Sequence, residues 1–374
     1  MISIQPVTTK KQRKQFVEFP LQLYKGNPYF VPPLYMDEMA IFKPTYVYAD
    51  QCKSAFFLAY DDQGKVAGRI QGILQYACNT KRNQKTVRFT RFDAINDQQV
   101  ANALFGAVEQ WALDLGMDTV IGPLGYSDLE REGLLIEGFD QLSTFEEQYN
   151  YPYYQTLIEN LGYVKDVDWV ESQIFAPKQV DPRLERISSK MLQRYNLHIA
   201  KCKNIKQFIK KYADGMFAVL DTAYDHLYGT VPFTPPMRKM ALNNFKLLLD
   251  ARYISAIVDE NDKVVAFGLV LPSIAKAVQK SGGRLTLPTI VRILKAKRKP
   301  EVVDFALVGV LPQYAGKGIV TAMICQVIDL LKESGVKYAE TNLNLEDNYH
   351  IQNQWKNFEA HQHKRRRSFI KKLR

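Results

Sequence analysis

The feature that most constrains this chain is a pattern written twice. Residues 56–68 and 254–266 each read as a strand, a tight turn and a second strand, and their lysines, Lys65 and Lys263, lie 198 residues apart, each preceded at four residues by an Asp. Upstream, Val31-Pro32-Pro33-Leu34 matches Thr234-Pro235-Pro236-Met237 with the prolines offset by 203, and the openings at Ile2–Ile4 and Leu197–Ile199 are offset by 195. Downstream, 101–116 and 320–335 are apolar-periodic helices that each stop at a Gly, the residue that tolerates the left-handed turn after a helix. Near-equal offsets in the same order imply two copies of one fold. With 374 residues the chain also exceeds the roughly 100–200 expected of one domain. The expected domains are 1–177 and 178–374, joined near residues 177–192. Each copy reads as a strand, one or more helices, a long hairpin, a further strand, a helix and another strand: an α/β (α+β) unit with a mixed central sheet flanked by helices.

The copies differ in length and charge. From hairpin to helix-ending Gly the offset grows from 198 to 219, so the second copy carries 21 extra residues, which fall within 274–300. That stretch has eight Lys/Arg and no acid, and 356–374 has eight Lys/Arg against Glu359. These +8 and +7 segments exceed the whole-chain charge of +11, leaving the remainder at −4. The basicity is local, and an anionic partner is expected at the C-terminal half. The composition, 46% hydrophobic and 24% charged, supports a sizeable core. Residues 1–11 lack the apolar core of a signal peptide, and no run approaches the roughly 18 apolar residues of a spanning helix. Cys52, Cys78, Cys202 and Cys325 are scattered and the five histidines form no ligand cluster, so reduced thiols, a cytoplasmic setting and no metal are expected.

The residues with chemistry lie in the second copy. Residues 303–310 read as a buried strand running into Leu311-Pro312-Gln313-Tyr314-Ala315-Gly316-Lys317-Gly318, then into a helix with Ile319, Met323, Ile324, Val327, Ile328 and Leu331 on one face. A Gly-bearing loop that opens a helix presents free backbone N–H groups at the positive end of the helix dipole, which suits a phosphate or diphosphate. A Walker A loop is excluded because residue 311 is Leu and residue 318 is Gly; a dinucleotide fingerprint is excluded because residue 321 is Thr. What stands is Q-x-x-G-x-G. No G-x-S-x-G elbow or plausible Cys/His pairing points to a hydrolase. The basic runs lack the interleaved aromatics of a base-stacking platform, so nucleic acid is an unlikely partner.

Q-x-x-G-x-G after the strand end Val308-Gly309-Val310 resembles the GNAT superfamily of acyl-CoA-dependent N-acyltransferases. The resemblance implies a coenzyme A thioester, acetyl-CoA or a longer acyl-CoA, as co-substrate and an amine as acceptor. It implies that Gln313, Tyr314, Ala315, Gly316, Lys317, Gly318 and Ile319 bind the coenzyme's diphosphate, and that the backbone of Val308, Gly309 and Val310 lies along its pantetheine arm with an N–H near Val310 as oxyanion donor. Asn348 matches the Asn that begins the family's next helix. Asp304, placed on the same parity as Ala306, Val308 and Val310, matches the general-base carboxylate of some members, or is an exposed Asp at the start of a strand. The family's proton-donating Tyr falls where Trp355 stands, which leaves the acid unassigned.

In the first copy the loop position holds Ala94-Ile95-Asn96-Asp97-Gln98-Gln99, without glycine and with a carboxylate where a diphosphate would sit. Asn96 or Asp97 reads as a helix N-cap, and the first copy is expected not to bind coenzyme A. The tandem layout further resembles the bacterial ceramide synthase-like subgroup, through 27–33, 138–140, 149–154, 345–348 and the terminal basic strand, expected at a sheet edge. That resemblance implies a long-chain lipid amine as a plausible acceptor. Leu287, Ile290, Val291 and Leu294 recur at helical spacing among basic residues, which fits either a membrane-surface helix, giving peripheral contact with an anionic membrane, or a core-packed one. Tyr149, Tyr151, Tyr153 and Tyr154 either line an acceptor pocket or pack in the core.

Overall fold

The computed structural model describes residues 1–373 and forms two compact units, each discontinuous in sequence. The first comprises residues 1–170, 274–290 and the segment from His363 onward; the second comprises 171–273 and 291–362. Among the described residues no helix is long and apolar enough to cross a membrane.

In the first unit the strands are β1 (Ser3–Pro6), β2 (Cys52–Tyr60), β3 (Val66–Gln75), β4 (Thr86–Ala94), β5 (Thr119–Gly122) and β6 (Leu134–Glu137), with helices α1 (Lys10–Leu23), α2 (Tyr35–Ala40), α3 (Tyr76–Arg82), α4 (Gln98–Asp114) and α5 (Tyr153–Glu159). β2 and β3 form the expected hairpin, turning at Gly64 with φ +77°. β3 and β4 are antiparallel, whereas β4 and β5 run parallel from Thr86↔Thr119 to Arg88↔Ile121, a connection made by α4. α4 buries Val100, Ala101, Leu104, Phe105, Val108 and Ala112 against Phe89 and Phe92 of β4. Its start is fixed by the Asp97 side chain, which accepts from the Gln99 N–H at 2.8 Å, as the N-cap reading anticipated.

The second unit repeats the plan with β8 (His198–Ile199), β9 (Ile254–Val258), β10 (Val264–Pro272), β11 (Val302–Val310), β12 (Tyr338–Thr341) and β13 (Asn344–Leu345). Its helices are α6 (Arg183–Arg194), α7 (Ile205–Ala223), α8 (Pro235–Phe245), α11 (Val320–Glu333) and α12 (Tyr349–Trp355). The added segment forms α9 (Ala275–Gln279) and α10 (Leu287–Arg298). Residues 274–290 belong to the first unit, where Gln279 Nε2 donates to the carbonyls of Pro28 and Phe30 and Arg284 pairs with Glu18 at 2.9 Å.

Two long strands complete the sheets. β7 (Val164–Phe175) begins in the first unit, and its second half pairs with β12 through Ile174↔Ala339. β14 (Glu359–Lys372) ends in the first unit, antiparallel to β5 from Phe369↔Gly122 to Lys372↔Thr119. This corrects the expectation of an edge strand: β14 has β5 on one side and β7 on the other. Four of its cations accordingly have acidic partners within the protein. Arg367 pairs with the buried Asp168 at 2.8 Å, Lys371 with Glu109 at 2.8 Å, and Arg366 is fully buried beside Glu147.

Candidate coenzyme and acyl-transfer site

β11 sets the geometry of the second unit's site. Leu307 pairs with Leu269 of β10 and Phe305 with Val270, so Ala306 is an extra, bulged residue. A bulge reverses which face later side chains take. Val303 and Phe305 pack with Ile324 and Ile328 of α11, and past the bulge Val308 and Val310 pack with Ile319, Ala322 and Met323 on that same side. Gly309 faces α7 instead: a Cβ there would meet Val219 Cγ1 at 2.9 Å. Asp304 therefore shares the face of Leu307 and Gly309, which corrects the parity read from sequence. The alternation expected from sequence holds only for an uninterrupted strand, and Ala306 gives no local sign of the bulge.

Main-chain polar groups follow a separate alternation. Leu311 N–H donates to the Val265 carbonyl at 2.9 Å, so Leu311, Gly309 and Leu307 address β10 while Val310 and Val308 turn their N–H and C=O groups the other way. On that side β12 runs in register only from Val302↔Tyr338 to Phe305↔Thr341. Beyond Phe305 the ladder ends, a gap in strand pairing along the β11 backbone. Two side chains reach into it: Tyr224, which caps the end of α7, donates its hydroxyl to the Val308 carbonyl at 2.9 Å, and Asn342 donates to the Ala306 carbonyl at 3.3 Å.

At the far end of β11 the chain makes a turn at Pro312–Tyr314 and enters α11 through Gly316 and Gly318, whose φ values of +71° and +72° favour glycine. The N–H groups of Tyr314, Ala315 and Lys317 close turns inside the loop at 2.8, 3.2 and 3.3 Å. Those of Gly316, Gly318, Ile319 and Val320 have no acceptor among the described residues. No carboxylate lies in the first turn of α11. The Lys317 ammonium rests 5.0 Å from the ring centroid of Tyr195, so a positive charge stands beside the loop. Gln313 and Ala315 are exposed, Tyr314 is half-buried, and Ile319 (1% exposed) anchors the helix start in the core. An unengaged row of amides at a helix start, without local acid and with a cation alongside, fits a diphosphate group.

The remaining residues fall into place around this frame. Asn348 caps α12, accepting from Ile351 N–H at 3.4 Å. Trp355 stacks on Phe305 at 5.4 Å with planes 4° apart, and its Nε1 donates to Asn344 at 2.9 Å, so it packs rather than offering a proton. Asp304 is only 4% exposed and lies beside Glu340, also 4% exposed, in the Asp304↔Glu340 register of β11 and β12, one residue short of where the strands part. Sequence reading missed Glu340, Asn342 and Tyr224. The signal for Tyr224 was the repeat itself, since Tyr24 caps the equivalent helix α1.

The tyrosines at 149–154 pack in the first unit. Tyr151, Tyr153 and Tyr154 form consecutive ring stacks, Tyr153 donates to the Ala94 carbonyl at 2.7 Å, and Tyr154 accepts from Ala94 N–H at 3.0 Å. Their hydroxyls close the end of β4.

No family model matches the chain. Protein YghO of Escherichia coli is 28% identical over 282 residues, covering 74% of this chain and 70% of the relative. A bacterial ceramide synthase of Caulobacter vibrioides is 26% identical over 294 residues, covering 76% and 73%. Among solved structures, a tandem GNAT protein from the clavulanic acid biosynthesis pathway superposes with a TM-score of 0.55 at 11% identity, over 100% of this chain and 98% of that one.

Proposed function

We propose that this chain, which has the tandem GNAT fold, is an acyl-CoA-dependent N-acyltransferase whose working site is the 313–319 loop and the gap along β11. The observation that carries the reading is the set of unengaged amides at Gly316, Gly318, Ile319 and Val320, at the end of a strand that has parted from its neighbour. In this reading the loop holds the coenzyme's diphosphate, and the pantetheine arm runs back along β11 against the N–H groups of Val308 and Val310. The reacting carbonyl takes one of those donors and the arm takes the other, so charge developing on the thioester oxygen meets a fixed N–H dipole. The amine nitrogen forms the new C–N bond, the C–S bond breaks, and a second proton released from that nitrogen passes to the departing thiolate, so coenzyme A leaves as the free thiol. Asp304, beside Glu340 at the closed end of the gap, receives the ammonium proton.

The relation to a bacterial ceramide synthase supports a long-chain lipid amine as acceptor and a fatty acyl thioester as donor. Such an acceptor implies peripheral contact with a membrane. Release of free thiol from acetyl- and longer acyl-CoAs, scanned against amines of increasing chain length, tests the reading; turnover is expected with long-chain amines. Asp304→Asn should lower turnover about 100-fold at neutral pH while coenzyme binding stays intact. Unchanged turnover would remove Asp304 from the mechanism, and binding with no thiol release for any amine would leave a non-catalytic tandem binding module.

A further inference from the structure

The two basic runs have different fates. On β14, Arg365, Arg366, Arg367 and Lys371 are matched by Glu137, Glu147, Asp168 and Glu109 within the first unit. Among the described residues, Lys297 is the one cation of α10 that is engaged, donating to the carbonyls of Leu247 and Leu249 at 3.0 and 2.8 Å. Arg292, Lys295, Arg298 and Lys299 are exposed and have no partner among the described residues. The same helix turns apolar side chains outward. Leu287, Val291 and Leu294, at i, i+4 and i+7, are 81%, 64% and 47% exposed, whereas Thr289 and Ile293 on the opposite side are 0% and 1% exposed. At 3.6 residues per turn, the outward surface is an apolar stripe beside a cationic stripe of Arg292, Lys295 and Lys299. Ile290 is half-buried and Ile293 buried, so one side of the helix is anchored while Leu287, Val291 and Leu294 face outward.

A solvated charged face does not need three large apolar side chains next to its cations, and burying such a stripe is favourable. A membrane leaflet with anionic headgroups offers negative charge at the level of the lysines and arginines and acyl chains just beneath, for the leucines and valine. Residues 274–300 contain no acid that would repel it. We infer that the outward face of α10 is a docking surface for an anionic lipid bilayer.

Position gives this surface a use under the acyl-transfer reading, on which the inference itself does not depend. Arg298 lies four residues before Val302, where β11 begins, and the glycine loop lies at the opposite end of that nine-residue strand, about 30 Å away at roughly 3.3 Å per residue. The lipid surface would therefore meet the end of β11 remote from the coenzyme's diphosphate, the end toward which the thioester arm points.

The test is flotation of the full chain, without substrate, on phosphatidylcholine vesicles with and without 30% phosphatidylglycerol. Binding should favour the anionic vesicles at least tenfold and weaken with salt. Arg292→Glu with Lys295→Glu should lower it at least tenfold. Leu287→Ser, Val291→Ser and Leu294→Ser together should abolish the binding that survives at 0.3 M salt, with melting temperatures unchanged because all three side chains are exposed. Equal binding to neutral vesicles, or variants that bind like the unaltered chain, would overturn the inference. So would a dimer in light scattering that the serine variant dissolves, or retention on nucleic acid in place of vesicles. None of these readouts involves thiol release, so failure here leaves the acyl-transfer reading standing, and the reverse also holds.

Discussion

β4 and β11 hold the same place in the two units, and what happens at their ends separates the units. Gly68↔Ala94 and Ala266↔Val310 are matching pairs of the β3–β4 and β10–β11 ladders, and the next residue in each case, Ile95 or Leu311, donates to Ala67 or Val265 at 3.0 or 2.9 Å. There the likeness stops. The N–H and C=O of Ala94 are engaged by Tyr154 and Tyr153, while those of Val310 face an open gap. One pair further in, Arg69 and Asp93 form a buried ion pair at 2.7 Å; in the second unit the pair is Phe267 and Gly309, where a Cβ would strike Val219 and Phe267. The capping tyrosines follow suit: Tyr24 bonds the side chains of Asp93 and Tyr154, both at 2.9 Å, whereas Tyr224 donates to the backbone carbonyl of Val308 on β11 at 2.9 Å. Burial, then Asp93, pushes the phenols of Tyr24 and Tyr154 well above their ordinary range, so both remain protonated bridges. One sheet framework thus supports a closed strand end and an open one, and a few side chains decide between them.

The strongest way to break this comparison is to loosen the first unit and ask whether coenzyme binding follows. Burial opposes ionisation of Glu38, but Arg91 and then Arg69 override it and hold its carboxyl at about 2, below the ordinary 4.5. A depressed acid stabilises the fold above its unfolded value and loses that contribution as pH falls through the folded one. Glu38→Gln should therefore cost about 3–5 kcal/mol at neutral pH, with a deficit in thermal and denaturant unfolding that shrinks toward pH 2. Coenzyme affinity per folded chain should stay within twofold. A parallel loss of affinity would show that the two strand ends are not independent.

Tyr154→Phe sharpens the contrast more gently. It strands the buried Ala94 N–H and should cost about 1–3 kcal/mol in denaturant unfolding, with no change in coenzyme stoichiometry. No loss would mean that something else closes that strand. Asp97→Ala removes the N-cap that stands where the second unit has its glycines, and should cost about 1 kcal/mol of stability and nothing in coenzyme affinity.

Much of this contrast could be read from the residues. Doubling of the hairpin, the Pro-Pro offset and the helix-ending glycines gave the repeated unit, and Gly316 and Gly318 against Asp97 gave the difference between the loops, because glycine and a capping acid each have a local conformational signature. Other features depend on partners distant in sequence. The bulge at Ala306 is a property of two strands, β10 and β11, and it turned Asp304 to the face opposite the one inferred. β14 looked like an edge because its charges suggested solvent, yet Asp168 and Glu109, more than 190 residues earlier, neutralise them. The outward stripe of α10 needed the structure to show which of its apolar positions are anchored.

The most direct measurement is calorimetric titration of the full chain with acetyl-CoA and a longer acyl-CoA, alongside Gly316→Glu. A Cβ at Gly316 meets nothing within 4 Å, but its φ of +71° strains any other residue by about 1–2 kcal/mol, so thermal unfolding of the variant accompanies the titration of a loop that now carries a carboxylate among its amides. One coenzyme per chain, with affinity lowered at least 100-fold in the variant, is the expected result. Two coenzymes per chain, or an affinity that Gly316→Glu leaves unchanged, would contradict the assignment of the working site to the open end of β11.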